Sequence, residues 1–472
     1  MRSPTLKISI SVFIIFVGAF GADISSASPS VKGEFQILDG IRVLHVWGSH
    51  YEMGYAHGYL IADDIVELFD KILVPLVGDA EGMEENRVLF RDRYAMPAWH
   101  IEETRGIIDG IAASSASLHI PILGRDLDAD DLGTMDSLSD IRTVYECSSF
   151  AAWIESTTSD AVLLGESALA RNLDWWAPFG RPYMLARNTL VIGREPDDAR
   201  ATLTVGFSGL TGCYSCMNDA GVATTRMMSN HGTPGWQMDF SRPFTPLNIV
   251  MRDALQAQDV DGDGASTVAD LALALSESVR SSAYNIMIVG PTSAGHEPVV
   301  AEINHKEFAL RSGADNTQLP SSVLGSVNNM RKLYPPYPDG RYNAMKRDVL
   351  GWNGEITLSR MWEVLQSMSD QWMATQAMIF VPFNRSLAIS YTDADGLAPF
   401  KPPVWLAWDD VFDLGGDDDD VDDDVDDDDS DDDDWLPDDD SNDDDANDDD
   451  SETMGNSVET DEGDSAGRGC GC

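Results

Sequence analysis

Between Gly48 and about Val77, the run Tyr51–Leu60 continues amphipathically through Ile65, Leu68 and Phe69, which predicts one helix. A second helix is expected from Ala98 to Leu118, with acids along one face. Asp126 to Asp140 is polar and acidic and reads as an exposed loop. The pattern then changes to short apolar runs: Cys147–Trp153, Ala161–Leu164, Ala170–Trp175, Tyr183–Ile192, Leu203–Gly206 and Val222–Met227 read as strands. Helical spacing returns at Phe244–Gln256 and Val268–Ser278, followed by extended runs at Ala283–Val289, Val299–Ile303 and Phe308–Arg311. Ala377–Val381 and Leu387–Tyr391 flank Pro382-Phe383-Asn384-Arg385, a hairpin signature. Helices and runs of strands in blocks imply an α+β fold rather than βαβ alternation, with no internal repeat.

The two ends follow other rules. Arg2 and Lys7 precede an apolar run from Ile8 to Phe20 and the small residues Ser25-Ser26-Ala27-Ser28, the layout of a cleaved secretory signal over residues 1–28. The run is too short to span a bilayer, and no later segment is long and apolar enough to do so. An exported protein is expected. The formal net charge of −50 excludes nucleic acid as a partner. Much of that charge lies in the Asp-rich tail 415–472, whose like charges repel and which has little apolar surface to bury, so it reads as a solvated spacer. Its Asp runs followed by Gly469-Cys470-Gly471-Cys472 resemble the region before a C-terminal sorting signal, without that signal's hydrophobic helix and basic end, and make attachment to a cell surface a hypothesis. The body between Gly33 and Leu414 has ample apolar content, and its length suggests two or three domains.

Five cysteines are too few for a disulfide scaffold. Cys213 and Cys216 form a lone CxxC, which reads as a local disulfide or two buried thiols, with a redox pair as the alternative. Cys147 is left unpaired. It opens Cys147-Ser148-Ser149-Phe150-Ala151-Ala152-Trp153, and Ala170-Arg171-Asn172-Leu173-Asp174-Trp175 follows. Paired as a hairpin, these strands bring a thiol, a guanidinium and a carboxylate to one end of a sheet. A thiol with a free pKa of about 8.5 needs such neighbours, because only the thiolate attacks. None of the histidines, His45, His50, His57, His100, His119, His231, His296 and His305, sits in a motif that suits an orienting partner. A cysteine that begins a chain has another base, its own α-amine with a pKa near 8. That requires a cut between Glu146 and Cys147.

These motifs resemble those of the autoproteolytic acyltransferases and hydrolases that include the penicillin-forming acyltransferase. That family belongs to the N-terminal-nucleophile hydrolases, with choloylglycine hydrolases, acid ceramidase and phospholipase B-like proteins. The resemblance runs from Gly48-Ser49-His50-Tyr51-Glu52-Met53-Gly54 and His57-Gly58 to the Ala377–Tyr391 hairpin. Its most specific part is Cys147-Ser148-Ser149-Phe150 followed by Arg171-Asn172-Leu173-Asp174-Trp175. It implies a four-layer αββα sandwich and a secreted cysteine amidohydrolase or acyltransferase acting on N-acyl amides without a catalytic cofactor. Self-cleavage would free a fragment 29–146 from a catalytic fragment beginning at Cys147, the two forming a heterodimer. Cys147 is then the nucleophile, Asp174 holds the α-amine, and Arg171 fixes the thiolate and the substrate. Asn218, in Met217-Asn218-Asp219-Ala220-Gly221, and Asn328 would form the oxyanion hole, with Arg341 in support. The residues alone also allow a structural ion pair for Arg171 and Asp174, and a turn role for Asn218 ahead of Gly221. Three positions depart from the pattern: a longer connection around Ser156–Asp160, Glu146 before the cut, and Asn329 after Asn328. A phospholipase-B-like lipid ester hydrolase and a non-enzymatic calcium-binding surface protein are the alternatives.

Asp259-Val260-Asp261-Gly262-Asp263-Gly264, running on to Asp270, spaces acids as an EF-hand does and resembles a dockerin calcium loop. Asp259, Asp261, Asp263, the Ala265 carbonyl, Thr267 and Asp270 are the expected ligands of a structural calcium. An acidic loop capping the Val268 helix is the alternative.

Overall fold

The structure, a computed structural model, describes residues 30–141, 145–175, 182–229, 239–369 and 373–413. The expected signal segment and the Asp-rich tail lie outside the described residues.

In chain order the elements begin with the hairpin β1 (Gly33–Leu38) and β2 (Ile41–Gly48), then helices α1 (His50–Leu60), α2 (Ala62–Leu68), α3 (Val74–Val77), α4 (Ala80–Arg93) and α5 (Ala98–Ala113). A small ribbon, β3 (His119–Ile120) and β4 (Arg125–Asp126), leads to α6 (Ala129–Ile141). Next come β5 (Tyr145–Ala152), β6 (Ala168–Trp175), α7 (Pro182–Ala186), β7 (Thr189–Pro196), β8 (Thr202–Phe207), β9 (Ser215–Asn218) and β10 (Ala223–Met228). Helices α8 (Leu247–Gln256) and α9 (Val268–Glu277) precede β11 (Tyr284–Val289), β12 (Val299–Ile303), β13 (Phe308–Arg311) and β14 (Val323–Ser326). The chain continues through α10 (Gly340–Gly351), α11 (Leu358–Met368), β15 (Ala374–Val381), β16 (Ser386–Tyr391), β17 (Val404–Leu406) and α12 (Asp409–Phe412).

The strands form a nine-stranded sheet, β1-β2-β7-β8-β9-β10-β11-β12-β13, and a six-stranded sheet, β14-β5-β6-β15-β16-β17. Their neighbours are antiparallel except β2 and β7, which run parallel. Alternation along β5 explains how the sheets stack, since successive side chains leave opposite faces. Cys147 and Ala151 join the core shared with the larger sheet, where Ser149 Oγ lies 2.8 Å from Thr225 Oγ1 of β10. Phe150 and Ala152 face the other way, into a core with Met345 of α10 and Leu365 of α11. Helices α1, α8 and α9 pack on the larger sheet. This is the αββα sandwich that the resemblance implied, built as α+β.

Several expectations need correction. Asp126–Asp140 is not an exposed loop: most of it is helix α6, and Asp131, Asp136 and Asp140 are buried. Those acids are inside because each has a partner: Arg87 and the nearby Arg125 for Asp131, His100 for Asp136 and Tyr284 for Asp140. Ala161–Leu164 is a turn segment within the connection from β5 to β6, its Val162 and Leu164 exposed, so it has no sheet to join. Tyr183–Ile192 splits into α7 and β7, and the helix from Gly48 breaks at Ile61 and gives way to a π turn at Phe69–Leu73. The body is one compact unit, not two or three domains.

Helices α1 and α5 meet unusually closely. A Cβ at Gly54 of α1 would lie 2.1 Å from the Glu103 carbonyl of α5, and one at Gly106 would lie 2.2 Å from the Tyr51 carbonyl. The two helices therefore touch backbone to backbone, which only glycine permits.

Candidate active site

The β5–β6 hairpin sets the register, pairing Cys147 with Leu173, Glu146 with Asp174 and Ser149 with Arg171. Arg171 is thus a diagonal neighbour of Cys147 on the same sheet face, a separation that a long side chain spans. Its Nη2 donates to Cys147 Sγ at 3.2 Å and to the Arg226 carbonyl at 2.9 Å. Its Nη1 donates to the Tyr214 carbonyl and to Ser215 Oγ. Both Cys147 and Arg171 are fully buried. Burial pushes the Cys147 thiol above its ordinary value, and the Arg171 guanidinium pulls it back only in part.

Asp174 leaves the opposite face of β6, where it meets Arg341 from the first turn of α10, with Nη1 3.7 Å from its Oδ2. Arg341 gathers the groups around one peptide bond. Its Nη1 lies 3.1 Å from Glu146 Oε2 and 3.4 Å from the Cys147 carbonyl, and its Nη2 lies 3.0 Å from Asn328 Oδ1. Asp339 caps α10 and takes Arg341 Nη2 at 3.3 Å, which fixes that side chain. Burial works against the Arg341 charge, but Asp339, Glu146 and Asp174 outweigh it and hold the guanidinium above its usual value.

Asn328 is brought to Cys147, though not as expected. Its Oδ1 accepts the Cys147 N–H at 3.0 Å and its Nδ2 donates to the Met228 carbonyl at 2.7 Å. In this intact chain it grips the nitrogen of the Glu146–Cys147 bond instead of offering a donor to an oxyanion. Asn218 is not brought there. Its Nδ2 donates to the Leu255 carbonyl and Ser266 Oγ, and its Oδ1 accepts from the Ala220 and Val222 N–H groups. It organises the turn into β10, about 10 Å along β9 from Ser215, so the turn reading holds and the oxyanion expectation fails. No histidine among the described residues hydrogen-bonds to Cys147; His231 lies outside them.

Cys213 and Cys216 form a disulfide, and the two residues it encloses, Tyr214 and Ser215, are the acceptors of Arg171 Nη1. Nothing in the CxxC spacing signals that link. A narrow apolar cavity adjoins the same place, lined by Leu68, Leu73, Met135, Leu138, Phe207 and Leu210 beside Trp175 and Tyr214, with room for about one water (about 10 Å³).

The acidic loop stands apart. Carboxylate oxygens of Asp259, Asp261 and Asp263 lie within 4.8 Å of one another. Asp270 and Thr267 are committed otherwise: they form the capping box of α9, and Asp270 also accepts the Val260 N–H at 2.6 Å and the Asp261 N–H at 3.1 Å. The three remaining carboxylates are hard oxygens around a turn and suit calcium in kind, but they supply fewer than the six to eight donors that it takes, so backbone carbonyls or water would have to complete the shell.

No protein-family model matches the chain. Over 211 residues, 39% of its length, it is 23% identical to an uncharacterized protein of Archaeoglobus fulgidus, of which it spans 32%. Among solved structures it is similar to a Caenorhabditis elegans N-acylethanolamine-hydrolyzing acid amidase ortholog (TM-score 0.38, 15% identity, covering 50% of this chain and 93% of that one). It is also similar to penicillin V acylase from Agrobacterium tumefaciens (TM-score 0.36, 10% identity, 56% and 86%). A mutant conjugated bile acid hydrolase from Clostridium perfringens matches to the same degree (TM-score 0.37, 11% identity, 55% and 93%). At these values the likeness is distant and decides nothing about the chemistry.

Proposed function

We propose that this chain is a self-cleaving N-terminal-nucleophile hydrolase, a cysteine amidohydrolase acting on N-acyl amides. The observation that carries the reading is convergence on Cys147 and the bond before it: Arg171 donates to Cys147 Sγ, Asn328 accepts the N–H of the Glu146–Cys147 bond, and Arg341 spans that bond from the Glu146 carboxylate to the Cys147 carbonyl. In the first step Cys147 Sγ attacks the Glu146 carbonyl carbon. The C–N bond breaks, a thioester forms, and the thiol proton passes to the nitrogen, which becomes an α-amine. Water then hydrolyses the thioester to a Glu146 carboxylate and a free thiol. In turnover the α-amine, placed where Asn328 Oδ1 now holds the N–H, takes the thiol proton. The thiolate attacks the substrate carbonyl, the amine leaves with that proton, and water releases the acid. We place the acyl half on the side of the apolar cavity beside Trp175 and Tyr214.

The segment before Cys147 contributes β1, β2, α1 and α5, so we expect it to stay bound after the cut as half of a heterodimer. The Cys213–Cys216 disulfide agrees with export into an oxidising compartment.

Mass mapping of the mature protein tests the reading. Two fragments are expected, one beginning at Cys147, with a substrate analogue trapped as a thioester on that residue, and Cys147→Ala is expected to remain one chain. Full amidase activity in an uncut wild type would rule the mechanism out.

The Asp259–Asp263 loop is proposed to hold a structural calcium, supplying charge neutralisation at the start of α9 and no catalytic step. Chelation with EGTA is expected to lower the Tm by about 3 °C or more, reversed by calcium and blunted in Asp261→Asn. A Tm indifferent to both additions leaves the loop as a helix cap.

A further inference from the structure

Beyond the end of β14 a cavity of about 420 Å³ opens between residues 315–319, the segment 331–336 and the first turns of α10. Its wall holds four cations, Arg311, Arg331, Lys332 and Lys346, against one carboxylate, Asp315, in a chain whose formal net charge is −50. Three of the four have partners. Arg311 Nε donates to Glu302 at 2.9 Å, Lys332 pairs with Asp315 at 2.8 Å, and Lys346 donates to the neutral Gln318. Arg331 is different. Its guanidinium carbon lies 3.2 Å from the centre of the Tyr342 ring, and its Nε is buried without a hydrogen-bond partner. Glu302 does not serve it, because that carboxylate already takes Arg311 and the backbone N–H groups of Arg331, Lys332 and Leu333. A guanidinium stacked by its face on an aromatic ring keeps its edge for a planar oxyanion.

Two chain links relate the cavity to the residues around Cys147. Arg331 follows Asn328 by three residues, at most about 11 Å of chain, and Tyr342 follows Arg341 directly. Sheet order adds direction. Cys147 lies on β5 between β14, which leads to this cavity, and β6, which ends at Trp175 beside the apolar cavity. The geometry points to an oxyanion subsite at Arg331 and Lys346 that binds a carboxylate or phosphate carried on the amine half of the substrate, opposite the acyl half. This inference rests on the amidohydrolase reading for its placement, while the anion site itself does not.

The test uses the mature full-length protein and amides that share one acyl chain: an N-acylglycine, an N-acyl aminoethyl phosphate and a neutral N-acylethanolamine. Wild type is expected to favour the anionic amides in kcat/KM, and the better of the two identifies carboxylate or phosphate as the natural group. Arg331→Met should raise KM for the anionic amides by about tenfold or more and leave the neutral one unchanged. Lys346→Met should give a smaller rise of the same kind, and decides the matter if Arg331→Met does not fold. No charge preference in wild type, or equal losses on charged and neutral amides, overturns the subsite. If none of the amides is cleaved, the amidohydrolase reading falls separately. Calorimetric titration of the uncut Cys147→Ala chain with inorganic phosphate then decides the anion site: saturable binding weakened by Arg331→Met supports it, and no binding overturns it.

Discussion

Arg171→Met is expected to slow both self-cleavage and turnover by roughly 10- to 100-fold, the worth of a hydrogen bond to a charged partner, and to move the rising limb of each pH profile upward. Cys147 has no solvent around it, so burial alone disfavours the thiolate, and Arg171 is the strongest opposing influence. Removing that cation raises the thiol further, the thiolate fraction at any given pH falls, and the limb therefore shifts to higher pH. Arg171→Lys keeps the charge but cannot reach Cys147 Sγ, Tyr214, Ser215 and Arg226 at once, so an intermediate rate and a smaller shift are expected. The pH dependence of iodoacetamide labelling at Cys147 measures the effect without reference to any substrate. A labelling profile that does not move in Arg171→Met would show that the guanidinium leaves the thiol untouched.

The same measurement reaches the disulfide. Because Tyr214 and Ser215 lie between Cys213 and Cys216, the double variant Cys213→Ser/Cys216→Ser is expected to loosen the seat of Arg171. The labelling limb should move in the same direction by less. A disulfide that serves stability alone would lower Tm and leave the limb where it is.

The hairpin of β5 and β6 was legible in the sequence because both strands are local, apolar and rich in small residues, and the placement of Cys147 beside Arg171 follows from it. The layering was legible only in outline. The parallel pairing of β2 with β7 joins residues 43–48 to 191–196, and no local pattern encodes so distant a contact. Helix α6 is hidden in the sequence for a related reason. Acids signal solvent unless their partners are known, and Arg87, His100 and Tyr284 are supplied by other parts of the chain. At the site, Asn328 and Arg341 were found by motif, but their roles follow from which atoms face the Glu146–Cys147 bond. Asn218 shows the limit of such motifs: an asparagine ahead of an Ala-Gly turn has the same sequence whether its amide serves a turn or an oxyanion.

Glu103→Gln is expected to destabilise the protein by about 3–5 kcal/mol, the cost of removing one partner from a buried charge cluster, and to weaken the hold between the cleaved fragments. Glu103 of α5 is buried and takes Arg252 Nη2 at 2.6 Å, Arg194 Nε at 3.2 Å and His50 Nδ1 at 3.4 Å. Glu103 and His50 precede the cut, whereas Arg194 and Arg252 follow it, so the cluster bridges the two fragments. Burial would raise the Glu103 carboxyl, but Arg252, His50 and Arg194 outweigh it and hold it well below its ordinary value of 4.5. A carboxylate depressed on folding stabilises fully above 4.5, and that contribution is lost as pH falls through its lowered folded value. Nearby His57 acts earlier: burial, then Arg194, lower it from 6.5 to about 3. The unfolded chain therefore binds that proton first, and stability declines as pH falls from 6.5 towards 3. Calorimetry and gel filtration of the cleaved protein from neutral to acid pH should show Tm and fragment association falling in that order. Glu103→Gln should start lower and lose the part of the decline below 4.5. A wild-type Tm in Glu103→Gln, with fragments still joined in acid, would mean that the strands and helices of the N-terminal segment hold the halves together without this cluster.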